Sequence, residues 1–155
     1  MCAFTPPKLP LLRPGALAIA DALPCVDAER LGAWLAQRQL ACGGLCGRPE
    51  KAPDVCYSWW VLSSLSILNK RHWLCGPALR DFILRCQDSA KGGISDRPDD
   101  EADVFHTFFG VAGLSLLGYP GLEAVDPVYA LPLSVTRRLG LRPPAEEDES
   151  VAAAV

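Results

Sequence analysis

Three residues of this sequence carry the donor atoms of a transition-metal site: Asp54, Cys56 and His106. A carboxylate, a thiolate and an imidazole together suit zinc. Three protein ligands leave a fourth position open, which is the pattern of a catalytic rather than a structural zinc. A thiol entering that position would lose its proton to the cation's field. Asp54-Val55-Cys56 opens one strongly apolar segment and Asp103-Val104-Phe105-His106 opens another. The same residues also read without a metal, as a helix-capping Asp54, a buried Cys56 and a hydrogen-bonded His106. Cys42-x3-Cys46 is a rival start for a structural zinc site, but its second pair is missing.

Charged and aromatic residues crowd the same two places. Arg48 and Lys51 lie in the loop before Asp54, and Tyr57 follows one turn in. A guanidinium, an ammonium and a phenol suit a diphosphate group. The alternative is a solvated loop whose cations pair with Glu50 or a neighbour. Trp59, Trp60, Phe105, Phe108 and Phe109 surround both segment starts and offer a wall for a long apolar ligand. Ordinary core packing accounts for the same five residues.

For these groups to meet, the two segments must start at one end of a common scaffold. Apolar spacing is helical almost throughout: Leu31, Trp34 and Leu35 at i, i+3, i+4, and Leu79, Phe82, Ile83 and Cys86 following Pro77. Residues 54 to about 69 and 103 to about 117 read as two helices, apolar nearly all round and hence buried on most sides, with Gly118 as a stop. A short helix near 133–139 ends at Gly140, and no strand is expected. An internal repeat supplies the common frame. The pairs Gly43-Gly44 and Gly92-Gly93 are 49 residues apart, as are Arg48-Pro49 and Arg97-Pro98, Asp54 and Asp103, and Tyr57 and His106. Upstream the offset is 48, as in Leu31 with Leu79 and Gln39 with Gln87. A period near 50 with two helices per unit predicts stacked helical hairpins, with both buried helices starting on one end of the stack.

The bulk properties narrow the functional classes. The 155 residues allow one domain, and 50% hydrophobic with 21% charged residues excludes a chain disordered throughout. The net charge of −3 includes four acids of the tail, Glu146, Glu147, Asp148 and Glu149; the remainder carries about +1, which speaks against a nucleic-acid binder. No apolar run reaches the roughly 18 residues of a membrane span. Seven cysteines and an N-terminus without signal-peptide layout point to a reducing compartment, the cytoplasm. Residues 1–14, with four prolines, read as an extended leader; 15–142 as the helical domain; 143–155 as a solvated, disordered tail.

The stretch from Gly47 through Arg48, Pro49, Glu50, Lys51, Ala52, Pro53, Asp54, Val55, Cys56, Tyr57 and Ser58 to Trp59-Trp60 closely resembles protein prenyltransferase β subunits. Asp96-Arg97-Pro98, Asp103-x-Phe105-His106-Thr107 and Gly113-Leu-Ser-Leu-Leu-Gly118 continue the likeness, which runs from about Gly15 to Pro143 and is nearest to the Rab geranylgeranyltransferase (type II) class. The resemblance implies an all-α fold, an α-α barrel or toroid of helical hairpins, here its C-terminal portion. It implies Asp54, Cys56 and His106 as zinc ligands, Arg48, Lys51 and Tyr57 as diphosphate contacts, and Trp59, Trp60, Phe105 and Phe109 beside the isoprenoid. Asp96 matches a carboxylate linked to magnesium in the farnesyl enzyme, which makes magnesium a second candidate cofactor. The implied activity is zinc-activated transfer of geranylgeranyl from its diphosphate to C-terminal cysteines of Rab GTPases, with a prenyltransferase α subunit and a Rab escort protein as partners. The alternatives are a type I geranylgeranyl or farnesyl class, or a non-catalytic remnant of the helical repeats.

Overall fold

The computed structural model describes residues 13–141. The tail from 143 onward and all but the last two residues of the expected leader lie outside that range. Six α-helices follow in order: α1 Arg13–Ile19, α2 Ala28–Ala36, α3 Tyr57–Ile67, α4 Gly76–Arg85, α5 Val104–Leu116 and α6 Leu133–Arg138. Short 3-10 turns sit at Leu23–Cys25 and Arg71–Trp73. Only isolated bridges, such as Gln39 with Leu45 and Gln87 with Ile94, interrupt the helical pattern among the described residues. Helix α3 packs against α1 on one side and α5 on the other; α2 packs on α3 and α4 on α5, a second layer. The core lies between the layers, built on Leu35, Leu62, Leu65, Leu79, Phe82 and Ile83.

The repeat is written into the backbone. In the first unit Cys46 N–H donates to the Arg38 carbonyl at 3.0 Å and Asp54 N–H to that of Leu45 at 3.0 Å. In the second, Ser95 donates to Cys86 at 2.9 Å and Asp103 to Ile94 at 3.3 Å. Gly43 and Gly92 both take positive φ, 89° and 83°, where a side chain is disfavoured. Four helix ends take one form. Ala22, Lys70, Tyr119 and Leu141 donate to carbonyls five residues back, at 2.8, 2.7, 3.0 and 3.0 Å, while Asp21, Asn69, Gly118 and Gly140 hold φ of 52°, 55°, 71° and 66°. This is the Schellman ending, with Gly118 and Gly140 the stops read from sequence. The first three fall 48 and 49 residues apart, so α1 ends a third unit, 48 residues before α3. The segment expected to be extended therefore becomes helical at Arg13, and Pro14 sits fully buried in the first turn, where a missing N–H costs nothing.

Two expectations about the buried helices change. Helix α3 starts at Tyr57, not at 54, because the Asp54 carboxylate accepts from Cys56 N–H at 2.8 Å and closes a turn two residues long. Val55 N–H, the next donor, goes to the Asp96 carbonyl at 2.8 Å. Helix α5 does start behind its Asp103 cap, which accepts from His106 N–H at 2.8 Å. Its second half is buried as expected, apart from Val111. Its first half is not: Val104 is 89% exposed, Phe105 50% and Phe108 51%.

Phe82 is 2% exposed and shares the core with Leu79 and Ile83 of the same helix. Phe82→Ala is expected to lower unfolding free energy by about 3–5 kcal/mol, measured by urea denaturation.

Candidate metal centre

The fold brings Asp54, Cys56 and His106 together: one donor atom from each lies within 4.8 Å of the others. Asp54 and Cys56 come from the turn that precedes α3, and His106 from the first turn of α5, which packs beside it. His106 Nε2 is 3.3 Å from Asp54 Oδ1. Donors around a tetrahedral zinc, with bonds of ~2.0–2.3 Å, stand roughly 3.3–3.8 Å apart. The His106–Asp54 pair already meets that spacing, and the Cys56 sulfur lies within 4.8 Å of both. The nitrogen, sulfur and oxygen set is thus a fit for zinc by chemistry and by arrangement. Cys42 is exposed and Cys46 buried, and no third ligand joins them among the described residues.

Asp103 gives the centre its order, a role that sequence reading assigned only to helix initiation. One carboxylate oxygen caps α5, and the other lies 2.6 Å from His106 Nδ1. The second contact fixes the ring so that Nε2 faces Asp54, the outer-sphere arrangement of metal-binding histidines. The Asp-x-x-His spacing at a helix start was the available signal: the residue that caps the third amide stands beside the third side chain. Those bonds from His106, the backbone one first, hold the Asp103 carboxyl below the usual carboxylate range.

Burial raises the Cys56 thiol pKa far above its ordinary range, and the Asp54 carboxylate adds to the effect. The same two causes act on Tyr57: burial first, then the charges of Cys56 and Asp54, push the phenol up while Arg48 pulls it down. Arg48 and Lys51 are exposed at the mouth, and neither pairs with Glu50 or another described acid. Asp96 differs. Its Oδ2 accepts from Arg97 Nη2 at 2.6 Å and Nε at 2.9 Å, and that contact holds its carboxyl below the usual range.

The aromatic residues divide. Trp59 is 4% exposed and belongs to the core. Trp60, Phe105 and Phe109 form a chain of rings with centroids 4.8 Å apart at each step, and Phe108 extends it at 5.2 Å from Phe109. Phe105 and Phe108 open to solvent, beside the centre.

Residues 14–131 match the prenyltransferase alpha-alpha toroid domain. The chain belongs to this family. It is 59% identical over 127 residues to the geranylgeranyl transferase type-2 subunit beta of Saccharomyces cerevisiae, covering 80% of this chain and 39% of that protein. The type-2 subunit beta 1 of Arabidopsis thaliana is 61% identical over 125 residues, with 81% and 39% covered. The type-1 subunit beta of the same plant is 36% identical over 108 residues, with 70% and 28% covered. The Candida albicans protein geranylgeranyltransferase-I complexed with GGPP shares the fold, at a TM-score of 0.71 and 24% identity over 83% of this chain and 42% of that one. The chain thus spans about two fifths of the length of the type-2 relatives it matches. No helix among the described residues is long and apolar enough to cross a membrane.

The thiols differ enough to sort by alkylation. Cys25, Cys42 and Cys75 are exposed, whereas Cys56 and Cys86 are buried, the latter with its pKa pushed up to about 12 by desolvation. In metal-free chain at pH 8, Cys56 and Cys86 should react with iodoacetamide about a hundredfold or more slowly than Cys42, because the thiolate is the nucleophile. Peptide mass spectrometry over a time course reads the order.

Proposed function

We propose that this chain carries the metal- and diphosphate-binding part of a type-2 geranylgeranyl transferase β subunit, which transfers geranylgeranyl from its diphosphate to the C-terminal cysteines of Rab GTPases. The observation that carries the reading is the meeting of Asp54, Cys56 and His106 beside an open aromatic surface, with the exposed Arg48 and Lys51 close by in the chain and without an acidic partner among the described residues. The relatives support the class: type-2 subunits share 59% and 61% identity with this chain, the type-1 subunit 36%. The partners on this reading are an α subunit, an escort protein and the Rab substrate, in the cytoplasm.

Asp54, Cys56 and His106 would hold zinc, and zinc when bound supplies a Lewis acid that lowers the pKa of an incoming thiol. Asp103 holds the His106 ring with Nε2 toward the centre. As sulfur bonds to C1 of the isoprenoid, the C1–O bond breaks and the diphosphate leaves with the electron pair. Arg48 and Lys51 meet the negative charge that develops there, and the Tyr57 phenol donates to it. Phe105, Phe108, Phe109 and Trp60 offer the lipid an apolar wall. Asp96 does not fit as a magnesium site by itself, since it is a single carboxylate already tied to Arg97.

The purified chain is expected to bind about one zinc per molecule, with cobalt substitution giving a thiolate charge-transfer band. Cys56→Ala should lose the band, and His106→Ala should lose most of the affinity. Asp103→Asn should weaken binding by about 10–100-fold in chelator competition. Equal zinc in parent, Cys56→Ala and His106→Ala would remove the centre from the proposal.

The transferase reading is tested by grafting residues 14–131 in place of the matching segment of the Saccharomyces cerevisiae subunit, and following labelled geranylgeranyl transfer to a Rab protein. The chimera should turn over. Arg48→Ala or Lys51→Ala within it should raise the barrier by about 2–4 kcal/mol with unfolding unchanged. A folded, zinc-loaded but inactive chimera would favour a non-catalytic helical repeat.

A further inference from the structure

We propose that Gly47 is a positioning residue, whose missing side chain makes the seat on which the Tyr57 phenol rests at the mouth of the centre. A Cβ built on Gly47 would lie 2.3 Å from Tyr57 Cζ, 2.4 Å from Oη and 2.5 Å from Cε1. Carbon atoms do not approach that closely without displacement. The ring end of Tyr57 thus rests directly on the Gly47 backbone, next in the chain to Arg48.

The loop itself does not demand a glycine here. Gly47 is absent from the positive-φ glycines, which include Gly43 and Gly92. The second unit has Asp96 at the same place, 49 residues on, with an equivalent backbone path: Ser95 and Asp103 repeat the hydrogen bonds of Cys46 and Asp54. A side chain is accepted there because the ring that follows, His106, is held by Asp103. In the first unit the corresponding ring is Tyr57, which has no such tether in this structure among the described residues, and the bare Gly47 backbone takes its place. The glycine therefore serves the ring and not the turn.

The clashing atoms are the far end of a side chain hinged at χ1. A methyl group at 47 would turn the ring aside at little cost to the fold, and the phenol would leave its place beside Arg48. This proposal rests on the diphosphate reading for its functional consequence, but the seat itself can be measured separately. Placed so, the phenol can donate to the same anion that Arg48 meets, and position 47 decides whether it does.

The test uses the 155-residue chain labelled with 3-fluorotyrosine, with the Tyr57 resonance assigned by its loss in Tyr57→Phe. Gly47→Ala should move that resonance while leaving the other two tyrosines and the urea midpoint unchanged. Titration with inorganic diphosphate, without metal, should show Gly47→Ala and Tyr57→Ala each weakened by about tenfold, the scale of a hydrogen bond to a charged group. In the Tyr57→Ala background, Gly47→Ala should add nothing. An unmoved Tyr57 resonance, a Gly47→Ala chain that fails to fold, or an equal loss of affinity in both backgrounds would overturn the proposal. If the parent does not bind diphosphate, or Arg48→Ala binds it as well as the parent, the diphosphate reading falls and the resonance still decides the seat.

Discussion

The site depends on one backbone hydrogen bond between the two units, from the amide of Val55 to the carbonyl of Asp96, 2.8 Å long and involving a fully buried valine. It ties the turn before α3 to the loop before α5. Without it, Cys56 and His106 would each be placed by a different hairpin, and their separation would follow every small shift of one hairpin on the next. With it, the turn carrying two donors is fixed to the loop that leads to the third. The loop is pinned in turn to α5, since Ile94 N–H donates to Thr107 Oγ1 at 2.8 Å. Donor spacing at a metal centre tolerates errors of a few tenths of an ångström. Two short bonds in series, one between backbones and one from backbone to a threonine hydroxyl, are the kind of support that holds such a tolerance.

A repetitive scaffold thus carries an unsymmetrical site. The two units share their loop bonds, the positive-φ pairs Gly43 and Gly92, Glu50 and Asp99, and Asn69 and Gly118, and their helix endings. They differ where side chains meet the centre: Gly47 against Asp96, Cys56 against Phe105, Tyr57 against His106. Each unit by itself offers an incomplete set of groups. Stacking them with a fixed rise puts the thiol of one beside the imidazole of the other, while the scaffold bonds remain the same.

Much of this was legible in the residues. The 49-residue offset predicted two helix starts on one end of the stack, and the structure brings Asp54, Cys56 and His106 together there. Gly118 marked the end of α5, and Asp103 its beginning. Three things were hidden by tertiary effects. Helix α1 is seven residues long, too short to show a period, and it starts inside the proline-rich leader. The start of α3 moved because the Asp54 carboxylate takes the Cys56 N–H and closes a turn ahead of the helix. Trp59 and Trp60, alike in sequence, point about 100° apart on a helix, so one fills the core and the other joins the ring cluster. Pattern alone could not say which was which, because α3 is apolar on every side.

The double use of Asp103 has a thermodynamic consequence. One oxygen holds the first turn of α5 and the other holds the His106 ring, so ordering the ring and ordering the turn draw on a single carboxylate. Whatever binds at His106 Nε2 then protects the amides of that turn against hydrogen exchange, and whatever frays the turn loosens the bound group by the same free energy. The helix end becomes a reporter of occupancy. Its exposed residues, Val104 and Phe105, would move with it, so that filling the centre also stiffens the apolar surface alongside.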